Sequence, residues 1–189
     1  MCRDVYNYQN LLLEGLTDLW YLQGINSLIE NKLNEDIALL PVGGVTKITI
    51  YANILCNNDL KTVAFIDSDN EANQAAQDAI IKYRLGNKNI LQAKVFCSHN
   101  IPAAATEDII RATLIPIFEK IYNKKISERD KTSTEPIIKI FKKIQKDFSK
   151  EKLAKEFLQW AKEKSSSDLT ADEQTHCQNL INTINRRLK

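Results

Sequence analysis

Along the first hundred residues the hydrophobic pattern switches between two periods. Short apolar runs at 9–14 (QNLLLE), 37–42 (IALLPV), 61–66 (KTVAFI) and 93–97 (AKVFC) have the length and make-up of buried strands. Between them, 17–33 sets Leu19, Leu22, Ile25 and Ile29 at helical spacing, and 46–57 reads as helix in its turn. Residues 70–85, rich in Ala and Gln, predict a third helix that stops at Gly86-Asn87, since glycine suits a helix C-terminus. Strand–helix alternation at this spacing predicts a mostly parallel sheet flanked by crossover helices, an α/β fold. Beyond Pro102 the strand signals stop, and 106–122, 134–147, 150–164 and 170–188 all read as helices. Thr106 followed by two acids resembles a cap, Pro116 is expected to kink or interrupt the first of these helices, and Ser167 or Asp168 to help start the last. The expected organisation is an α/β core over 1–105 and a helical continuation over 106–189, a C-terminal α-helical appendage.

Composition narrows the class. A chain of 189 residues with 43% hydrophobic content can bury a sizeable core. No apolar run approaches the ~20 residues that a membrane helix needs, so a soluble protein without a membrane partner is expected. The start, MCRDVYNYQN, has no basic region followed by an apolar stretch. Cys2, Cys56, Cys97 and Cys177 are scattered, which suits reduced thiols in a cytoplasmic protein rather than a zinc site. His99 and His176 lie too far apart in sequence to read as a metal pair.

Charge is uneven although the net value is only +2. Residues 1–100 carry 8 basic and 11 acidic residues, whereas 120–155 carry 12 basic and 5 acidic ones. An acidic half beside a basic segment suits a metal site next to a polyanion track, and a solvated lysine-rich helical surface accounts for the basic run equally well.

The candidate chemistry falls at strand ends. Parallel open sheets form their sites outside the carboxyl ends of the strands. Glu14 closes the first predicted strand, Gly43-Gly44 follow the second, and Asp67 and Asp69 follow the third. Asp18 falls in the first turn of the next helix, one turn from Glu14. Alternate residues of an extended segment share a face, so Asp67 and Asp69 are expected to point the same way. Hard cations such as Mg²⁺ take oxygen ligands and keep several waters, so a few carboxylates suffice. Gly43 and Gly44 allow a phosphate close to the backbone, with Lys47 as a further contact. DSDNE is not an EF-hand loop, because its sixth and twelfth positions are Ala72 and Asp78 and a strand leads into it. Nor does it fit a haloacid-dehalogenase-like phosphatase, since Glu71 stands two residues beyond the second Asp and the motif follows the third strand.

Glu14-Gly15 ending one strand, Asp18 four residues on and Asp67-x-Asp69 ending a later strand resemble the TOPRIM domain of topoisomerases, DnaG-type primases, RecR-type proteins and OLD (overcoming lysogenization defect) nucleases. EGLTD, PVGGVTKI, FIDSDNE and TEDII resemble the OLD family most, over roughly residues 9–110. The resemblance implies a Rossmann-like TOPRIM sheet in which Glu14, Asp18, Asp67 and Asp69 are metal ligands or acid–base groups. It adds the pair Glu107 and Asp108, which as first-turn acids could also simply complement a helix dipole. Ser68 is a further candidate. The family also implies a lysine from the helical region; Lys150 in SKEKLAKEF is the first choice and Lys152 the second, as a catalytic or DNA-binding group. OLD proteins pair an ABC-type ATPase with a C-terminal TOPRIM nuclease. No GxxxxGK[ST] occurs here, so an ATPase in the same natural chain or on a partner protein is expected, and strand one lies only eight residues from Met1, as in an excised domain.

The expected activity is therefore divalent-metal-dependent cleavage of DNA phosphodiesters by an endonuclease or nickase using two Mg²⁺ or Mn²⁺ ions, in a setting such as phage defence or DNA repair. Glu14 and Asp18 would hold one ion and Glu107 and Asp108 the other, with Asp67 and Asp69 between them and Glu14, Asp67 and Lys150 as the catalytic set. The alternatives are a non-catalytic RecR-like binding module, or a primase or topoisomerase relative. The latter lacks support: the six tyrosines lie in or beside the sheet region, and the scattered cysteines supply no zinc module. A homodimer through the helical part is compatible with the sequence but not required by it.

Overall fold

The computed structural model describes residues 9–69, 84–97 and 100–189. Four strands, β1 (Gln9–Leu13), β2 (Ile37–Pro41), β3 (Thr62–Ile66) and β4 (Ile90–Gln92), form one sheet in the order β2-β1-β3-β4. Every pairing is parallel, with Leu13 opposite Pro41 on one side and Phe65 on the other. All four carboxyl ends therefore open on one edge. Parallel strands covered on both faces should be apolar, and β1 from Leu11 and β3 from Val63 are.

Successive side chains of β1 and β3 feed two cores. Leu11, Leu13, Val63 and Phe65 join the larger one, with helix α1 (Leu16–Leu28) and the C-terminal helices. Leu12, Ala64 and Ile66 join a smaller one, with Val45, Ile48 and Ala52 of helix α2 (Val45–Asn57). The C-terminal helices are α3 (Arg111–Tyr122), the short α4 (Glu128–Lys131), α5 (Ile137–Ile144), α6 (Lys150–Lys162) and α7 (Ala171–Leu188). Phe118, Phe141, Phe157, Leu180 and Ile184 tie α3, α5, α6 and α7 into the same buried cluster as α1 and the sheet.

The closest helix packing is α6 on α1. A Cβ on Gly24 would stand 2.5 Å from Cε1 of Phe157, so glycine is what lets α6 approach. That approach matters because α6 begins at Lys150 and so places Lys150 relative to α1.

Several boundaries differ from the sequence expectation. The fourth strand is 90–92 and not 93–97: β3 ends at Ile66, and the next capture is Lys94 N–H donating to Ser68 Oγ at 2.9 Å, which curls Ala93–Phe96 into a 3-10 turn. The predicted helix 106–122 is a 3-10 turn, Thr106–Ile110, followed by α3. Its break falls at Ile110 (φ −120°, ψ 35°), and Pro116 sits inside a continuous α3. Thr106 is not the cap of this segment; Ala105 holds that place. The last helix is capped by Thr170, whose Oγ1 accepts from Glu173 N–H, rather than by Ser167 or Asp168. The predicted helix 70–85 lies outside the described residues except for Arg84 and Leu85. No helix among the described residues is long and apolar enough to cross a membrane.

Candidate functional site

The carboxyl ends of β1 and β3 lie side by side, and the next residue of each strand is acidic. Asp67 N–H donates to Glu14 Oε1 at 2.8 Å, binding the two strand extensions to each other. Glu14 leads into α1, where Asp18 Oδ2 accepts from Gly15 N–H at 2.9 Å in the first turn. A carboxylate there is favoured by the unpaired N–H groups of the helix start.

The 3-10 turn Thr106–Ile110 closes over this edge. Thr106 N–H donates to Asp67 Oδ1 at 2.9 Å, and its hydroxyl lies 3.0 Å from Asp18 Oδ1 and 3.3 Å from Asp67 Oδ1. One hydroxyl thus bridges two carboxylates that would otherwise repel. Glu107 follows with 0% exposure, and Lys150 at the start of α6 sets its Nζ 3.1 Å from Glu107 Oε1 and 3.9 Å from Asp67 Oδ2. The Lys150 ammonium is the main partner of the buried Glu107 carboxylate, and the buried Tyr21 hydroxyl lacks a hydrogen-bond partner among the described residues.

Electrostatics follow from this crowding. Burial, then the charge of Asp67, pushes the Glu14 carboxyl up to about 8. Burial pushes Asp67 up to about 7 against the opposing pull of Lys150. Glu107 is raised by burial as well, again with Lys150 opposing. For Lys150, burial works to lower its value, but Glu107 and Asp67 outweigh it and the ammonium is held charged. Burial, with Glu107 and Asp18 nearby, raises the Tyr21 phenol. The site is an acidic row in which one lysine is the nearest counter-charge.

The sequence-predicted residues separate into groups. Glu14, Asp18, Asp67, Glu107 and Lys150 are brought together. Asp69 is exposed beside them, near enough for its charge to raise Glu14. Gly43 and Gly44 reach the same edge with φ of 81° and 127°, values that favour glycine, and Gly44 N–H donates to the Glu14 carbonyl at 2.6 Å. That N–H is therefore engaged in holding the turn. Lys47, one turn into α2, brings its Nζ to 3.4 Å from where a Gly43 Cβ would stand.

Asp108 does not join the row. Its Oδ2 accepts from Ala105 N–H at 2.9 Å, and its Oδ1 from Ile137 N–H at 2.9 Å and Arg111 Nη1 at 3.2 Å. Arg111 in turn donates to the carbonyls of Glu135 and Asp130, each at 2.8 Å. Asp108 thereby anchors the turn that presents Glu107. Lys152 also stands apart: two residues on from Lys150 along a helix is about 200° of rotation, and its ammonium lies over the Tyr122 ring, 5.4 Å from the centroid. Ser68 serves the fold, donating its N–H to Ala104 O at 2.7 Å and accepting from Lys94.

Sequence reasoning missed the role of Thr106, which it read as a helix cap, and passed over Tyr21. The available signal for Thr106 was its place directly before an acidic pair in the segment following the last strand.

Residues 9–69 match the family model of the overcoming lysogenization defect protein-like TOPRIM domain. The match takes in 61 of the 189 residues, and Glu14, Asp18, Asp67 and Asp69 fall inside it. The parallel four-stranded sheet with flanking helices is a Rossmann-like arrangement consistent with the TOPRIM fold. Thr106, Glu107 and Lys150 reach these carboxylates from outside the matched segment. Searches of the curated proteins and of the solved structures found no match.

The donor set fits a hard divalent cation. It consists of carboxylate oxygens, with both Glu107 oxygens buried beside the Lys150 ammonium. Among the described residues no group of three or more His, Cys, Asp or Glu side chains stands close enough together to hold a metal ion by itself. Mg²⁺ retains several waters and binds through one or two carboxylates, so an open row of acids suits it better than it would suit zinc.

Proposed function

We propose that the chain is a divalent-metal-dependent nuclease domain that cleaves or nicks DNA phosphodiesters. The observation carrying this reading is the row Glu14–Asp67–Asp18–Glu107 at the carboxyl edge of the sheet, with the Lys150 ammonium 3.1 Å from Glu107. The TOPRIM match supports the same class of chemistry.

Mg²⁺ or Mn²⁺, held as two ions by Glu14 and Asp18 on one side and Glu107 on the other, with Asp67 and Asp69 between, would polarise the phosphodiester and acidify the attacking water. Asp108, engaged by Arg111 and two backbone N–H groups, is left out of that set. The chain's own residues do the remaining work. Glu14 and Asp67, raised towards neutrality, would lose their protons to solvent when a cation bound, so ion binding would release protons. Thr106 fixes Asp67 Oδ1 and leaves Oδ2 towards Lys150. Lys150 places a fixed positive charge where negative charge develops on the phosphoryl oxygens. A cytoplasmic setting and an ATPase partner belong to the same reading by family resemblance.

The test is nicking of a supercoiled plasmid in Mg²⁺ or Mn²⁺ by the wild type and by Asp67→Asn, which retains an oxygen for Thr106. Nicking by the wild type and its loss in a folded variant supports the proposal. Equal nicking by both sinks the site.

A further inference from the structure

Helix α5 buries Ile137, Ile138, Ile140 and Phe141 and exposes Lys139, Lys142 and Lys143, with Lys146 exposed in the turn that follows. Lys139, Lys142 and Lys143 are spaced i, i+3, i+4, one stripe along the outer side of the helix, and Lys146 follows in the turn past the extended Gln145. Lys143 is paired with Glu135 at 2.6 Å, whereas Lys139, Lys142 and Lys146 have no side-chain partner among the described residues. The helix is held firmly, Phe141 stacking on Phe118 at 4.1 Å between centroids.

Both ends of α5 connect to the site. At its start, Ile137 N–H donates to Asp108, the neighbour of Glu107. Past its end, Ser149 caps α6, and the first residue of α6 is Lys150. The stripe thus lies on a helix whose two ends lead to residues beside the carboxylate row.

We propose that the Lys139–Lys142–Lys143–Lys146 stripe is a docking surface for the backbone of double-stranded DNA, aligning it with the site. The inference rests on the nuclease reading above and extends it to a surface that reading does not use. Lysine is a point charge without bidentate geometry, which suits phosphates rather than base edges. An eight-residue helix is about 12 Å long, enough to follow about three phosphates of one strand. An anionic membrane would also answer the charge, but that mode pairs lysines with exposed apolar side chains. Among the described residues the exposed large hydrophobics are Leu16, Ile50, Tyr51, Ile54 and Val95, none of them on α5.

The experiment is fluorescence anisotropy of a labelled DNA duplex with the full chain in EDTA, where no cleavage occurs, over a series of salt concentrations. The triple variant Lys139→Gln/Lys142→Gln/Lys146→Gln is compared with Lys88→Gln/Lys120→Gln/Lys162→Gln, which removes equal charge from three other elements. The α5 variant is expected to flatten the dependence of log affinity on log salt by about 3. The control variant should keep the wild-type slope. An unchanged slope in the α5 variant, an equal loss in the control, or a wild type that does not bind the duplex overturns the surface. Plasmid nicking judges the metal site separately, so persistent nicking with an unchanged slope removes the docking surface and leaves the nuclease reading in place.

Discussion

Lys150 and Glu107 meet at 3.1 Å across the carboxyl edge of the sheet, one from the first residue of a helix and the other from a fully buried 3-10 turn. Glu107 is fully buried, and the lysine is its main compensation. Removing that charge has two separable consequences. Lys150→Met is expected to lower nicking about 10²–10³-fold, the usual loss for a charge aimed at a developing oxyanion. It should also lower the melting temperature in EDTA more than in Mg²⁺, because a bound cation restores the missing charge. Nicking assays and thermal melts check the two parts.

The neighbouring acids are expected to behave differently. Glu107→Gln should weaken Mg²⁺ binding in calorimetry while leaving stability near or above that of the wild type, since a buried charge is removed. Asp108→Asn should do the reverse, leaving Arg111 buried beside a weaker partner and costing about 3 kcal/mol in urea unfolding. Equal losses of stability in both variants would contradict the separation.

Acidic groups raised by folding make the metal-free protein sensitive to alkali. Unfolded Glu and Asp ionise near 4.5 and 3.8, whereas folded Glu14 and Asp67 do so near 8 and 7. Between those values the folded state binds more protons, so stability falls as pH rises. In EDTA the melting temperature should decline from pH 5 to pH 8. Added Mg²⁺ should oppose the decline, because it competes with the protons. A flat or rising profile in EDTA would contradict the raised carboxyls.

Gly24→Ala tests the route by which α6 is placed. Alanine is ordinarily the better helix former by about 1 kcal/mol. Here its methyl meets the Phe157 ring at 2.5 Å, inside a packed core with Phe157 0% exposed. Overpacking of this kind costs about 1–3 kcal/mol, so the balance should be destabilising. Denaturant unfolding reads it, and nicking should fall further than stability alone explains, because Lys150 moves with α6.

Much of this was legible in the sequence because the strands are short apolar runs that end in glycine or acid. β1, β2 and β3 end where their patterns stop, and the strand-end rule put Glu14, Asp67 and Gly43-Gly44 on one edge. β4 was misplaced because AKVFC has strand-like composition, whereas its course is set by Ser68 holding Lys94, a contact across 26 residues. Glu107 and Asp108 are adjacent and chemically alike. The distant Ile137 N–H and Arg111, itself fixed by two loop carbonyls, join the local Ala105 N–H in turning Asp108 away from the row. Thr106 read as a cap because its local pattern is that of a cap; its bonds to Asp18 and Asp67 depend on tertiary packing.

The most direct test of the metal site is the anomalous difference map of a crystal soaked in Mn²⁺. The account predicts an ion about 2.1 Å from carboxylate oxygens of the Glu14–Asp18–Asp67 group, with any second ion at Glu107 and none at Asp108. Manganese bound only elsewhere, or at Asp108 and not at Asp67, would contradict it.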